Sequence, residues 1–387
     1  MLDAADVVVV GGGPAGLATA IAARQHGLSV VVIDGAMPPI DKACGEGLMP
    51  DGIAALRDLG IAIPAEVSHP FRGIRFLSGS QSAQAHFEAG SALGIRRTAL
   101  HRVLIEHAVA SGVALRWGTN VIGIDREGVR LANGLIRARW IVGADGSNSR
   151  VRGWAGLDRR ERKTSRFGFR RHYRVAAWTD LMELHWANGS ASDRSGDARS
   201  ANDRHSGDSQ IYVTAVHRDE ICVALVSSDP HLRLDAALES FPQLAARLAH
   251  AEIVSSERGA ITVSRRLRRV HRGSVVLVGD ASGGVDAITG EGLCLAFRQA
   301  AMLARYLAAN DLATYEVEHR RLLCRPAAMA RLMLLMARHP RLRQRTMQVF
   351  EAHPRSFARM LAMHVGEASA GNYIASGLSL GWQLLTA

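Results

Sequence analysis

The chain has 387 residues, of which 48% are hydrophobic, and a formal charge of +11 at pH 7. This length allows two closely packed domains, whereas no apolar stretch approaches the roughly 18 residues that a membrane-spanning helix needs. Acidic residues stand where a signal peptide is basic, and the four cysteines show neither disulfide nor metal spacing, so we expect a cytoplasmic protein without a metal site. Only two of the 47 basic residues are lysine, and no aromatic residues interleave a basic stripe, so nucleic acid is not an expected partner.

The N-terminal residues predict a complete β-α-β unit. Residues 7–10 are a β-branched run typical of a buried parallel strand, and an alanine-rich helical segment follows as far as about His26. A second apolar strand over residues 29–33 ends at Asp34. The turn between strand and helix has the G-x-G-x-x-G spacing of dinucleotide-binding turns. Its residues are Gly11, Gly13, Pro14, Ala15 and Gly16.

Each part of this unit suits a dinucleotide. Gly11 allows the tight turn, Gly13 allows the backbone to approach a pyrophosphate, and Gly16 allows close packing of helix on strand. The helix N-terminus offers free N–H groups and a positive dipole end to phosphates. Asp34 is placed to accept hydrogen bonds from an adenosine ribose. FAD and NAD use the same unit, so the unit alone leaves the choice open.

Shorter elements follow the unit. The loop 41–50 contains Gly45 and Gly47, which suggests a segment lying against a ligand, although an ordinary strand-to-helix loop has the same features. Arg96 and Arg97 precede a predicted helix, where one guanidinium could reach a phosphate or flavin edge; a solvated arginine fits the pattern equally well. The predicted elements are a helix over 49–59, short strands within 69–90, a helix within 94–113 and a strand pair within 114–125.

Two later stretches each join a buried strand to a helix through a glycine-containing turn. In the first, an apolar strand beginning near Trp140 runs into the turn, and a helix begins near Ser149. In the second, the strand 275–278 is followed by a glycine-rich loop and another helix. The turn residues that this pattern singles out are Asp145, Gly146, Gly279, Asp280, Gly290, Gly292 and Leu293.

These three motifs, in this order, resemble the FAD domains of flavoprotein hydroxylases of the p-hydroxybenzoate hydroxylase type and of the related geranylgeranyl reductases. The resemblance implies that the first motif holds the ADP half of FAD, and that Asp145 and Gly146 lie near the pyrophosphate and are linked to NAD(P)H use. It also implies that Asp280 contacts the ribityl chain, and that the helix after Gly292 points at the N1–C2=O edge, where reduced flavin is negative. The further FAD contacts that it implies are Gly35, Lys42, Cys44, Gly45, Arg97 and Val121.

The branch within this superfamily stays open. Residues 42–48 and 286–293 look more like the geranylgeranyl reductases, and Ser282-Gly283-Gly284 replaces the Pro-rich, His-containing loop usual in the simplest hydroxylases. Flavin halogenases carry a W-x-W-x-I-P signature and a catalytic lysine, which this chain lacks. A second dinucleotide fingerprint is also missing, so the resemblance implies that NAD(P)H binds only transiently.

The middle of the chain predicts a substrate domain. Four segments with alternating apolar residues are typical of antiparallel strands, which would form a sheet over the flavin. Arg170, His172 and Tyr173 lie on the first of these strands and either line the substrate pocket or face solvent. The insertion 187–210 has no large apolar residue, and we expect a disordered hairpin there.

The C-terminal region is predicted to be helical from about residue 311 and strongly basic. Between residues 320 and 359 it has ten arginines and one acidic residue, Glu351. We expect a helical layer that packs on the FAD domain with a solvated basic face. The alternative is a basic amphipathic surface that touches an anionic membrane. The methionines of this region also suit an adaptable apolar channel.

The predicted fold is thus α/β: a Rossmann-type FAD-binding domain, an antiparallel β-sheet substrate domain and a helical C-terminal region. The resemblance implies an FAD-dependent monooxygenase in which NAD(P)H supplies electrons, O2 supplies oxygen, and an aromatic, phenolic or lipophilic small molecule is hydroxylated; no catalytic residue is named. The alternatives are a reductase of prenyl double bonds, for which Cys44 becomes of interest, and a module that holds FAD without turnover. The predicted boundaries are 1–72, 98–163 and 262–310 for the FAD domain, 73–97 and 164–261 for the substrate domain, and 311–387 for the C-terminal region.

Overall fold

The computed structural model describes residues 3–158, 164–187 and 208–366. The described strands are β1 (Ala4–Val10), β2 (Val30–Ile33), β3 (Gly47–Leu48), β4 (Ser68–Phe71), β5 (Gly73–Ser78), β6 (Gln81–His86), β7 (Ala92–Ile95), β8 (Ala114–Arg116), β9 (Val121–Ile124), β10 (Gly128–Leu131), β11 (Gly134–Gly143), β12 (Thr164–Arg174), β13 (Met182–Trp186), β14 (Gln210–His217), β15 (Glu220–Ser227), β16 (Glu252–Ile253), β17 (Arg258–Ser264), β18 (His271–Arg272) and β19 (Val275–Leu277). The described α-helices are α1 (Pro14–Gln25), α2 (Pro50–Asp58), α3 (Arg97–Ala110), α4 (Arg150–Trp154), α5 (Leu234–Leu238), α6 (Pro242–Leu248), α7 (Gly292–Ala309), α8 (Leu312–Arg338), α9 (Pro340–Ala352) and α10 (Pro354–His364).

Sheet 1 contains the predicted β-α-β unit. Its main strand order is β18-β19-β11-β1-β2-β8, and β10 and β9 extend from β11. The pairs β1–β2, β1–β11, β11–β19 and β2–β8 are parallel. The valines of β1 and β2 are buried on both faces of the sheet, as the continuous apolar runs predict, and α1, α3 and α7 belong to the same core. The helix α1 begins with Pro14 at its first turn and ends before Gly27, whose φ is +79°.

Sheet 2 is antiparallel as predicted, with one exception. Its order is β16-β12-β15-β14-β13-β5-β6. Strand β17 also pairs with β12, along the edge that faces away from β15. The pair β13–β5 is parallel, with Met182 opposite Ile74. This pairing joins strands that are about 100 residues apart, so no local turn signal in the sequence announces it. A third, small sheet has the order β3-β7-β4.

The alternation along sheet 2 separates two apolar faces. Ile211 and Val213 of β14 point to one face, which is covered by α5 and α6, whereas Tyr212 points to the other. This other face packs against α8, α9 and α10, including Phe357. The expectation that the C-terminal helices pack on the FAD domain is therefore incomplete, because most of their apolar side chains cover sheet 2.

The predicted disordered insertion lies mostly outside the described residues. Its limits were too wide, since Ala187 is buried and donates a backbone hydrogen bond to the carbonyl of Ser209, and Gln210 begins β14. Within the three described ranges, the helices are too short or too polar to cross a membrane.

Candidate active site

A pocket of about 510 Å³ lies at the carboxyl edge of sheet 1 and extends to sheet 2. The parallel strands β1, β2, β11 and β19 end at this edge, so the turns that follow them meet here. All of the predicted FAD-contact residues line the pocket except Gly16. A Cβ on Gly16 would lie 1.9 Å from the carbonyl oxygen of Gly11, so this glycine serves the close packing of α1 on β1.

Two kinds of glycine in these turns differ in the space around them. Gly11, with a φ of +110°, and Gly16 have no room for a side chain, and a Cβ on Gly11 would lie 2.4 Å from the Ala144 carbonyl oxygen. A second group faces open space, with no described atom beyond the immediate chain neighbours within 4 Å of an added Cβ. Its pocket-lining members are Gly13, Gly45, Gly146, Gly284, Gly290 and Gly292. These positions let a bound molecule approach the backbone closely.

Asp34 directly follows β2 and already accepts two backbone hydrogen bonds. The N–H groups of Gly12 and Ala36 donate to its two carboxylate oxygens at 2.7 and 2.8 Å. A carboxylate has about four lone-pair sites, so acceptor capacity is left over at the pocket. Behind the turn, Nε2 of the buried His101 lies 2.7 Å from the Gly12 carbonyl oxygen. Burial lowers the pKa of His101, and a neutral ring can donate through Nε2. No motif in the sequence indicates this role of His101.

Asp145 fixes the start of α4. Its carboxylate accepts hydrogen bonds from the backbone N–H groups of Arg150 and Val151 at 2.7 and 3.1 Å. The buried Arg152 donates to the carbonyl oxygens of Ser147 and Ala281, at 3.0 and 3.1 Å. This guanidinium joins the second glycine turn to the third, and no local motif indicates that long-range role.

The third turn carries an ion pair across the pocket. Lys42 Nζ lies 2.9 Å from Asp280 Oδ2, and the two side chains are 40% and 49% exposed. Burial raises the pKa of Asp280, but Lys42 and Arg97 lower it by more, so the net pKa lies below its usual value. Beside this pair, the Gly279 N–H donates to Gln299 of α7 at 2.7 Å, which fixes the turn against the helix. The N-terminal residues Gly292 and Leu293 of α7 face the pocket.

Glu46 holds the loop that carries Lys42 against β12 of sheet 2. This residue is buried and has a φ of +57°, in the left-handed region that non-glycine residues rarely adopt. Its carboxylate accepts from the Arg97 backbone N–H at 2.9 Å and lies 2.6 Å from His172 Nε2. Because an ionised carboxylate only accepts, His172 donates through Nε2, and its Nδ1 can accept from Arg170, whose Nη1 lies 3.2 Å away. Arg170 also pairs with Asp41.

Arg170, His172 and Tyr173 therefore neither line the pocket nor face solvent. The first two point to the pocket side of sheet 2, but the loop 41–47 covers them, and both are buried. Tyr173 points to the opposite face and lies in the core beneath α5 and α6. Strand periodicity predicts which residues share a face, but it does not show which loop covers that face.

Glu46, His172 and Cys222 each offer one ligand atom, and these atoms lie within 4.8 Å of one another. The arrangement does not favour a metal ion, because both carboxylate oxygens of Glu46 already accept hydrogen bonds and Arg170 lies 3.7 Å from one of them. Burial also raises the pKa of the Cys222 thiol well above its usual range, which opposes the thiolate that a metal requires.

The end of the pocket at sheet 2 is mostly apolar. Met49, Met182 and Leu323 line it together with Tyr212, whose hydroxyl donates to the Ile288 carbonyl at 2.6 Å. The edge strand β17 adds four consecutive residues, including Ile261, to the wall. Periodicity predicted the strands that carry Met182 and Tyr212, but neither β17 nor the pocket residues that the strands contribute.

Two observations indicate that the pocket suits an FAD molecule. The open glycines form a surface for close backbone contact along three turns. In addition, Arg97 lines the pocket, and its buried Nε has no hydrogen-bond partner among the described atoms. An unpaired buried donor costs about 1–3 kcal/mol, so this atom is suited to a ligand acceptor.

Comparison with known families gives the same result. Residues 4–313 match the family model of the FAD binding domain. This chain belongs to that family. The match contains all three glycine turns, so the chain is a flavoprotein by family and by the form of its pocket.

Relatives with named activities match shorter segments. Menaquinone reductase of Mycolicibacterium smegmatis is 35% identical over 127 residues, which are 32% of this chain and 31% of the relative. Rifampicin monooxygenase of Streptomyces venezuelae is 32% identical over 164 residues, 39% of this chain and 34% of the relative. The matches thus span about a third of each relative's length.

A solved structure matches nearly the whole fold. The geranylgeranyl bacteriochlorophyll reductase-like protein of Thermoplasma acidophilum has a TM-score of 0.74 and 19% identity, and 98% of this chain and 99% of that chain are covered. At this identity the likeness concerns the fold. It extends through sheet 2 and the C-terminal helices, because 98% of this chain is covered.

Proposed function

We propose that this protein is an FAD-dependent monooxygenase that uses NAD(P)H and hydroxylates a lipophilic aromatic or phenolic molecule. The observation that carries the proposal is a glycine-lined cradle that opens onto an apolar wall formed by sheet 2 and α8. The similarity to a rifampicin monooxygenase supports oxygen chemistry. FAD, when bound, would carry electrons from NAD(P)H to O2.

The residues of the three turns have separate proposed roles. Gly13 and the N-terminus of α1 bind the pyrophosphate, and Asp34 accepts from the adenosine ribose. Asp280 accepts from a ribityl hydroxyl while Lys42 holds its carboxylate in place. Arg97 gives its unpaired Nε–H to a flavin or phosphate oxygen. We also propose the domain boundaries that were predicted from the sequence.

The apolar end positions the substrate and excludes water. Its walls offer few polar groups, which favours a ligand with a large apolar surface. Tyr212 is not proposed as a base, because burial raises its pKa well above the usual range and its hydroxyl already donates to a carbonyl. Hydroxylation of an electron-rich ring requires that the site orients the ring. It does not require a side chain that forms a covalent bond with the substrate.

The test is to follow NAD(P)H oxidation and O2 uptake together on the FAD-loaded protein, with and without 4-butylphenol. The proposal predicts phenol-stimulated, equal consumption of reductant and O2, with a hydroxylated product. The proposal is contradicted if no phenol or lipophilic aromatic molecule stimulates NAD(P)H oxidation and all of the consumed O2 is recovered as hydrogen peroxide.

A second candidate function is the reduction of prenyl double bonds, which Cys44 favours. This thiol lines the pocket, and burial raises its pKa, so it stays protonated and able to give a proton. The similarity to a menaquinone reductase agrees with a reductase. Anaerobic saturation of geranylgeraniol by the dithionite-reduced protein, lost in Cys44→Ala but retained in Cys324→Ala, would favour this candidate over the first.

A contact with anionic membranes is proposed for the outer side of α8, α9 and α10. Nine of the ten arginines in this region are exposed, and Leu335 is 45% exposed among them. Arg343 is buried and donates to the Ala187 carbonyl at 3.0 Å, so it belongs to the packing instead. Flotation with vesicles that contain 30% phosphatidylserine tests the contact, and failure to float with them at low salt would refute it.

A further inference from the structure

Glu291 and His364 face each other in the interior without a hydrogen bond. Their side chains are 4% and 8% exposed, and Glu291 Oε2 lies 3.7 Å from His364 Nδ1. Neither atom has a hydrogen-bond partner among the described residues. Leaving a buried polar atom unpaired costs about 1–3 kcal/mol, so two such atoms that face each other point to a missing third group.

The pair lies beside a second, narrow cavity that adjoins the pocket. Glu291 precedes α7 and stands between two glycines that line the pocket. His364 ends α10 and lines the cavity, whose volume is about 30 Å³. Met182 and Tyr212 line both the pocket and the cavity, so the two spaces lie side by side.

Apart from Thr289 and Tyr212, the other walls of the cavity are apolar and adaptable. Methionines Met329, Met333 and Met360 line it together with Phe357 and Leu361. A cavity of this volume holds a water or a hydroxyl group but not an aromatic ring. Thioether side chains change rotamer easily, so the part of a ligand next to the hydroxyl can be admitted from the pocket side.

We propose that Glu291 and His364 bind a hydroxyl group of the substrate, which is thereby an apolar alcohol or phenol. The hydroxyl oxygen lies about 2.8 Å from both atoms, donates to Glu291 Oε2 and accepts from the Nδ1–H of His364. A ketone oxygen or an ether could use the histidine alone and would leave the carboxylate unpaired. This assignment rests on the proposed function, because it places the substrate in the space next to the flavin.

The test compares 4-butylphenol with butylbenzene, which has the same carbon skeleton but no hydroxyl group. Dissociation constants are measured on the FAD-loaded protein from the change in flavin absorbance, without NAD(P)H or turnover. The wild type is expected to bind the phenol at least about tenfold more tightly, which corresponds to about 1.4 kcal/mol. Glu291→Gln and His364→Leu are expected to reduce this ratio below about threefold, whereas the exposed-site control His353→Leu keeps it.

Equal binding of the two compounds by the wild type would overturn the proposal. So would a ratio of dissociation constants that both variants retain. In either case the pair would be the site of a structural water. Because the Gln side chain has the shape of Glu, Glu291→Gln decides the question if His364→Leu does not fold. The ratio is measured without oxygen chemistry, so a failure of the monooxygenase proposal appears only in the turnover assay and is distinguishable from a failure here.

Discussion

Lys42 Nζ lies 2.9 Å from Asp280 Oδ2, and this ion pair joins the loop after β2 to the turn after β19. The two residues are 238 positions apart in the chain. The lysine and Arg97 lower the pKa of Asp280 against the opposing effect of burial. The carboxylate therefore stays ionised at neutral pH, as an acceptor at the pocket must be.

The pH dependence of stability tests this pair. The lowered pKa means that the Asp280 contribution is complete above its unfolded pKa of about 3.9 and is lost as the pH falls through the folded value. Because both side chains are partly exposed, we expect Asp280→Asn to lose less than about 1 kcal/mol at pH 7. Thermal unfolding of both proteins from pH 7 to pH 3 should show a difference that shrinks only below about pH 4. A difference that grows on acidification would contradict the assignment.

Gly13→Ala should separate cofactor binding from folding. The new Cβ enters open pocket space, and the φ of −72° suits any residue, so the fold should survive. FAD affinity should fall at least about tenfold, or about 1.4 kcal/mol, in a fluorescence titration. The control is Gly153→Ala, which adds a Cβ to equally open space outside the pocket and should keep wild-type affinity.

Gly16→Ala should have the opposite outcome. Its Cβ would overlap the Gly11 carbonyl oxygen, which is backbone and cannot move aside cheaply. Overpacking of this kind costs about 1–3 kcal/mol or more, so we expect a lower melting temperature before any specific loss of FAD binding. Unchanged stability together with lost FAD affinity would show that Gly16 contacts the cofactor after all.

Glu46 should be required for the shape of the loop 41–47. Glu46→Gly would relieve the left-handed backbone but leave His172 and Arg170 buried without their carboxylate. Breaking a buried pair costs about 3–5 kcal/mol, so the glycine variant should be much less stable than Glu46→Gln, which keeps the shape and one acceptor. Urea unfolding measures both. A glycine variant that is more stable than the glutamine variant would mean that backbone strain outweighs the ion pair.

Phe357 should hold the C-terminal helices on sheet 2. Its ring is buried, with centroids 4.7 Å from Phe76 of the sheet and 4.8 Å from Phe350. Phe357→Ala should cost about 3–5 kcal/mol in the free energy of unfolding. Leu335→Ala, at a 45% exposed site in the same region, should change it by less than about 0.5 kcal/mol. Similar losses in both variants would argue against this anchoring role.

The sequence could predict the parts of the site that depend on local chemistry. The three glycine turns, Asp34 and Asp280 lie next to strands whose apolar runs identify them, and the structure brings these turns to one pocket. The parallel ends of neighbouring strands make that meeting a consequence of the β-α-β unit. The general order of helices and strands followed from periodicity in the same way.

The parts that the sequence did not predict depend on contacts between distant segments. Nothing near His172 signals that Glu46 will cover it, and nothing near Trp186 signals a parallel partner in β5. The buried pair of Glu291 and His364 likewise exists only because α10 folds back onto the start of α7. Side-chain alternation defines two faces of sheet 2, whereas tertiary packing decides which face meets the pocket.

The most direct measurement of the central proposal is the fate of isotopic oxygen. The FAD-loaded protein is supplied with NAD(P)H, 4-butylphenol and ¹⁸O₂, and the product is examined by mass spectrometry. We expect one ¹⁸O atom in each molecule of hydroxylated product and none when the label is in the water. Two results would contradict the monooxygenase proposal. One is product oxygen that comes from water. The other is oxidation of NAD(P)H with all of the label in peroxide, together with saturation of a prenyl substrate without O2.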